Sequence, residues 1–328
     1  MSGLSPLDSD DSELQRGLRA LLDRRLLVFL GKGGVGKSTL AAATGRLLAT
    51  RGKRVLLCEV NAKDRLPALL GVKPVGPQIA QVGENLFLCN IQPEPALHDY
   101  AVMKLKVERV VTKLLGNKLV HYFLHLLPSL AETVTLGKLL FHVREEQNGQ
   151  KRFDTVILDA PATGHGLALL RLPQVLLPSI PAGPLREDME WMNALLVDPA
   201  ITAVQLVTLA EELPVNETLE MSATLRDTLR LPRGLCFANG LWPSRFDADE
   251  LTTLREKVPE GVFAMTERLQ AQADINRAQL TRLREQIDLP VVDLPQLFAE
   301  ADGPAVVART QDVLAALLKA AAPLTTHG

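Results

Sequence analysis

Leu26-Leu27-Val28-Phe29-Leu30-Gly31-Lys32-Gly33-Gly34-Val35-Gly36-Lys37-Ser38 is the stretch that decides the fold. Five apolar residues lead directly into glycines. An unbroken apolar run of that length marks a strand buried on both faces of a parallel sheet. Gly31 to Ser38 then matches the phosphate-binding pattern GxxxxGK[ST], and residues 37–50 have helical character. Strand, glycine loop and helix is the context that this pattern requires. Glycines let the backbone turn its N–H groups inward around a triphosphate, and the helix N-terminus adds its dipole. Lys37 is placed to reach the outer phosphates, and Ser38 to ligate Mg2+ through its hydroxyl. Gly31, Lys32, Gly33, Gly34, Val35, Gly36, Lys37, Ser38 and Thr39 therefore form the candidate binding stretch for ATP.

Further short apolar runs repeat the first strand at 54–60, 86–91, 155–158 (ending at Asp159), 203–209, 234–238 and 291–294. Helical spacing recurs at 12–25, 217–230, 248–258, 264–286 and 305–321. Strands alternating with helices give an α/β chain with a doubly wound, mostly parallel sheet. Pro173, Pro178, Pro181 and Pro184 make 171–185 read as a loop or a set of short turns. One segment breaks the rhythm, because residues 96–146 have helical character and no good strand. Their apolar positions include Val107, Val110, Val111, Leu114, Leu115, Leu119, Phe123, Leu124 and Leu127. The expected organisation is a tail and helix at 1–25, with 1–12 acidic and disordered. A nucleotide-binding domain at 26–95 and 150–328 follows, interrupted by a helical subdomain at 96–149.

Composition narrows the class. Of 328 residues 47% are hydrophobic, which allows a sizeable core. Thirty-six basic against 38 acidic side chains give a net charge of −2, without the basic excess of a general nucleic-acid binder. Aromatics at 4% are too few for a base-stacking platform. Cys58, Cys89 and Cys236 lie far apart in apolar runs and read as buried thiols of a protein from a reducing compartment. The start, Met1 to Asp11, is polar and acidic, unlike a signal peptide. No window approaches 18 uncharged apolar residues, so no stable membrane insertion is expected. The expected location is the cytoplasm.

Two motifs carry a family resemblance. Lys32-Gly33-Gly34-Val35-Gly36-Lys37-Ser38 resembles the loop of the deviant-Walker-A class, which includes the MinD/ParA and ArsA groups. In that class the extra lysine, here Lys32, reaches across a dimer interface to the partner's nucleotide. The resemblance thus implies two subunits with ATP between them. Asp159-Ala160-Pro161-Ala162-Thr163-Gly164-His165-Gly166-Leu167 resembles the D-x-A-P-T-G-H-T segment of the ArsA family, with one small residue shifted. That family includes arsenite-pump ATPases and the guided-entry ATPases of tail-anchored membrane proteins. It implies that Asp159 binds Mg2+ through water, and that Gly164 and His165 form a second switch sensing the γ-phosphate. Asn239 sits where the family places an adenine-recognising asparagine; the other reading is a turn residue in Asn-Gly. Leu294-Pro295-Gln296-Leu297-Phe298 with Asp302-Gly303 resembles the loop that closes over the adenine, with Pro295 and Leu297 as its contacts.

The departures matter as much. The family's first switch carries an aspartate that orients the attacking water, and counting back from Gly71 puts Asn61 there. An amide orients water but cannot accept a proton, and a missing base is worth about 10²–10⁴-fold in rate. Glu59 or Asp64 would substitute if the loop folded differently. Slow hydrolysis with Lys32, Asn61 and Asp159 as the catalytic set is the expectation. Arsenite pumping needs thiolates brought together, and neither the insert nor any CxxC supplies them. The leading reading is a dimeric MgATP switch acting on a protein client or membrane-protein partner, either as a homodimer or with a paralogue. The alternatives are an arsenite- or anion-pump-driving subunit, a MinD/ParA-like positioning ATPase, or the nucleotide-binding half of a heterodimer.

Overall fold

A computed structural model describes residues 6–105, 128–297 and 303–320. The apolar positions from Val107 to Leu127, and Phe298 and Asp302, lie outside the described residues. The chain opens with α1 (Pro6–Asp23), β1 (Leu26–Leu30), α2 (Lys37–Thr50), β2 (Val55–Val60) and α3 (Arg65–Leu70). β3 (Ala80–Gly83), β4 (Leu86–Ile91), α4 (Pro93–Leu105) and α5 (Pro128–Arg144) follow. A small hairpin of β5 (Glu146–Gln147) and β6 (Gln150–Lys151) leads to β7 (Thr155–Asp159), α6 (Thr163–Leu176) and α7 (Pro184–Val197). The remainder is β8 (Thr202–Leu209), α8 (Glu212–Ala223), β9 (Arg233–Leu241), α9 (Ala248–Lys257), α10 (Glu260–Gln286), β10 (Val291–Pro295) and α11 (Gly303–Ala320).

Eight strands form one sheet in the order β10-β9-β8-β1-β7-β2-β4-β3. Every pairing is parallel except β3 on β4. The apolar runs are continuous because each strand feeds two cores. Leu26, Val28 and Leu30 enter the core shared with α5, α6 and α7. Leu27 and Phe29 enter the core shared with α2 and α11 on the other face. Leu56 and Cys58 part from Val55 and Leu57 in the same way. This is the period-2 alternation of a strand hidden inside an all-apolar sequence. Among the described residues no helix is long and apolar enough to cross a membrane.

Three expectations are corrected. Residues 171–185 are mostly helix: α6 runs through Pro173 to Leu176, a 3-10 turn spans Leu177–Ser179, and α7 begins at Pro184. A proline inside a helix costs about 3 kcal/mol. Leu169 and Leu170 are buried, and Leu172 and Leu176 pack against the same core; burying such side chains is worth about 1.5–3 kcal/mol each. Pro184 stands in the first turn, where no N–H is needed. For the same reason α8 starts at Glu212 ahead of Pro214, not at 217, and passes into a π turn at Thr224–Thr228. The segment expected to be disordered, 1–12, is helical from Pro6 onward.

Candidate nucleotide site

The C-terminal ends of β1, β7 and β2 carry the candidate site. Beyond Leu30 the chain turns through Gly31 to Gly36 into α2, with Gly34 and Gly36 at φ 89° and 94°. A Cβ on Gly31 would lie 2.1 Å from the Val207 carbonyl oxygen, and one on Gly36 would lie 2.2 Å from Asn239 Nδ2. The loop therefore lies directly against the ends of β8 and β9, and only glycine admits that approach. Lys37 is buried at the start of α2, and its ammonium donates to the Lys32 carbonyl at 2.8 Å. Burial holds the Lys37 pKa below its usual value, with Asp159 opposing and Arg65 reinforcing the shift. Ser38 is buried beside it and hydrogen-bonds Asp159; Thr39 is half-buried in the same turn.

Asp159 is the last residue of β7, between β1 and β2. It stands in register with Phe29 on one side and Glu59 on the other. Burial raises its pKa, while the Ser38 hydroxyl, Lys37 and Arg65 pull it back. Its Oδ1 is buried without a hydrogen-bond partner. Glu59 is 1% exposed. Its Oε2 accepts the Leu66 N–H at 3.1 Å, and its Oε1 is also buried without a partner. Burial pushes the Glu59 pKa up, the Leu66 and Arg65 backbone hydrogen bonds partly offset this, and Asp159 and Asp64 add to it.

The loop after β2 takes Asn61 and Asp64 into the left-handed region, at φ 45° and 51°. Asn61 is exposed and Asp64 half-buried just before α3. The loop is held by a residue that sequence reasoning passed over. Asn90, at the end of β4, accepts the Ala62 N–H at 3.2 Å and donates to the Ala62 carbonyl at 2.7 Å. Its one signal was an amide in the otherwise apolar run Leu86–Ile91.

Residues 24–180 match the family model described as anion-transporting ATPase. The chain is 30% identical over 306 residues to the ATPase BagA of Mycobacterium tuberculosis, an alignment covering 85% of this chain and 89% of BagA. The chain belongs to the ArsA family of ATPases. It is also 28% identical over 177 residues to the ATPase GET3 of Podospora anserina, covering 52% of this chain and 50% of that one. With the ATPase ARSA2 of Chlamydomonas reinhardtii it shares 26% identity over 165 residues, covering 48% and 42%. As an ArsA-family member it binds nucleotide and hydrolyses ATP.

The other family positions gather around the same loop. A Cβ on Gly33 would stand 3.8 Å from Ala162 Cβ, so the turn before α6 abuts the phosphate loop. Gly164 and His165 are exposed in the first turn of α6. Asn239 donates through Nδ2 to the Val35 carbonyl at 2.9 Å, which ties β9 to the loop. Pro295 pairs in register with Leu241, and the Gln296 N–H donates to the Leu241 carbonyl at 2.8 Å. The chain leading to Leu297 thus lies beside the end of the strand that carries Asn239. Lys32 turns away from the loop, its ammonium 2.8 Å from Glu217 Oε1 on α8. The cysteines are buried thiols as expected, but two of them are not far apart in space: Cys58 and Cys89 are register neighbours on β2 and β4 with their sulfurs 3.5 Å apart. Both are buried, as is Cys236, whose thiol burial pushes up to about 12.

Proposed function

We propose that this ArsA-family ATPase is a dimeric, deviant-Walker-A MgATP switch whose nucleotide state governs binding of a protein client or membrane-protein partner. The division of labour between the two loop lysines carries this reading. Lys37 occupies the cradle of its own loop, and Lys32 holds its ammonium outside it on Glu217. A second ammonium at the rim suits a nucleotide held across a subunit interface, in a homodimer or with a paralogue, where it stabilises transferring charge as an arginine finger does.

In this reading Gly31 to Thr39 wrap the phosphates, and Asn239, Pro295 and Leu297 receive the adenine. The Asn239 amide has a second N–H and a carbonyl oxygen beyond its Val35 bond. Ser38 and Asp159 hold Mg2+, the latter through water. The unpartnered Asp159 Oδ1 beside the Ser38 hydroxyl suits a hard cation that prefers oxygen ligands. When bound, Mg2+ neutralises charge on the outer phosphates. Gly164 and His165 serve as the second switch, and Asn61 orients water without taking its proton, so turnover is slow. The cytoplasm is the proposed location, consistent with three free cysteines.

A cleft of about 740 Å3 between α4, α5 and α7 supports the client reading; Tyr100, Met103, Leu130, Phe141 and Trp191 line it. It draws on both described parts of the proposed 96–149 subdomain. The arsenite reading is weaker because the Cys58–Cys89 pair is sealed in the core. The MinD-like reading is weaker because α11 commits Val307, Leu314 and Leu318 to its own domain. The test is affinity purification from native cells in an ATP-analogue state and an ADP state. A partner retained in one state only, and lost with Lys37→Ala, is expected; equal retention in every state would count against client coupling.

A further inference from the structure

β2 and β7 are neighbouring parallel strands, and Glu59 stands opposite Asp159 in their register. Register neighbours on adjacent strands project to the same side of the sheet, with their backbones about 4.8 Å apart. Each carboxylate is partnered on one side only: Glu59 by the Leu66 and Arg65 backbone N–H groups, and Asp159 by the Ser38 hydroxyl. Each also has one oxygen that is buried with no partner, Glu59 Oε1 and Asp159 Oδ1. Two adjacent buried acids with unpaired oxygens are expensive unless something supplies both positive charge and O–H donors. Lys37 adds positive charge but no donor to these atoms: its ammonium bonds the Lys32 carbonyl, and neither Glu59 Oε1 nor Asp159 Oδ1 has a hydrogen-bond partner. A hydrated Mg2+ supplies both, since it keeps several of its waters as hydrogen-bond donors.

We propose that Glu59 is a second carboxylate of the Mg2+ site, a positioning residue that accepts a hydrogen bond from metal-bound water beside Asp159. The inference rests on the reading of Ser38 and Asp159 as the Mg2+ site. It assigns Glu59 a task separate from the water-orienting role of Asn61. The competing account is purely structural: Glu59 merely fastens the start of α3 through Leu66.

The test uses the full-length chain loaded with ADP and titrated with Mn2+, free Mn2+ being followed by electron paramagnetic resonance. ADP affinity without metal is measured alongside by calorimetry. Glu59→Gln is expected to weaken Mn2+ binding about tenfold, the scale of groups that orient metal ligands, while metal-free ADP affinity stays within about twofold. A structural role would move both quantities together or neither. Unchanged Mn2+ affinity in Glu59→Gln overturns the proposal. If that variant fails to fold, Glu59→Asp retracts the carboxylate by one methylene and is expected to weaken Mn2+ binding; an unchanged value again overturns it. Asp159→Asn separates the two failures. Full Mn2+ affinity in that variant sinks the underlying metal site, and its loss with Glu59→Gln unaffected sinks only the role of Glu59.

Discussion

Lys32 and Glu217 meet at 2.8 Å and tie the phosphate loop to α8, while the Lys32 carbonyl holds the ammonium of Lys37. One residue thus takes part in two lysine contacts of opposite direction. The Lys32 and Glu217 side chains are 32% and 29% exposed, so solvent screens the pair and its worth is at most about 1 kcal/mol. Glu217→Gln should therefore shift the urea midpoint only slightly. Lys32→Ala should bind ADP within a few-fold of wild type in calorimetry. A loss of ADP binding as deep as that of Lys37→Ala would contradict the separate roles of the two lysines.

Lys37→Ala should abolish the rise in melting temperature that ATP or ADP produces. In the wild type, nucleotide at about 100 times its Kd should add about 2.7 kcal/mol of stability. A wild type unmoved by millimolar nucleotide would be incompatible with the phosphate loop as drawn.

Asn61 bears on turnover. The isolated chain should hydrolyse ATP at below about one per second, since a missing base costs about 10²–10⁴-fold against typical values near 10 s⁻¹. Asn61→Asp should raise the rate in a phosphate-release assay, and Asp64→Ala tests the half-buried carboxylate three residues on. A rate of several per second indifferent to both substitutions would mean that another group orients the water.

Asn90→Ala should remove both hydrogen bonds to Ala62. Leaving those backbone groups unpaired costs about 1–3 kcal/mol, readable by chemical denaturation. Because the clamp holds the first switch and not the phosphate loop, ADP affinity should change little while turnover falls.

His142 sets a pH dependence. It is buried and donates through Nδ1 to Glu145 at 2.8 Å. Burial lowers its pKa, the Glu145 bond opposes this, and the cations Lys138 and Arg152 reinforce it. The unfolded chain takes up this proton near pH 6.5, and the folded chain does so only at lower pH. The contribution is present above about pH 6.5 and is lost as pH falls through the lowered folded value. His142→Gln should flatten that slope; urea midpoints measured on either side of about pH 6.5 read it directly.

Much of this was legible in the residues. The run Leu26–Leu30 followed by glycines announced a central parallel strand, and Asp159 at the end of β7 could be placed beside the loop from its motif alone. Pro173 misled, because local chemistry says break while buried leucines on either side hold α6 together. The Asn148-Gly149 turn of the β5–β6 hairpin carried a usable signal that was passed over, with both residues at positive φ. Other features depend on strand order, which no local pattern encodes. Cys58 meets Cys89, Asn90 reaches Ala62 and Glu59 faces Asp159 only because β2 lies between β4 and β7.

The most direct measurement is the mass of the full-length chain by light scattering, with Mg2+ and a non-hydrolysable ATP analogue, alone and mixed with a paralogue from the same cell. The account predicts a rise from 35.8 kDa to roughly twice that value, or to the mass of the mixed pair. It also predicts that Lys32→Ala keeps the analogue but loses the rise. A chain that binds the analogue, shown by its melting temperature, yet stays at 35.8 kDa in both settings would contradict the nucleotide-driven dimer.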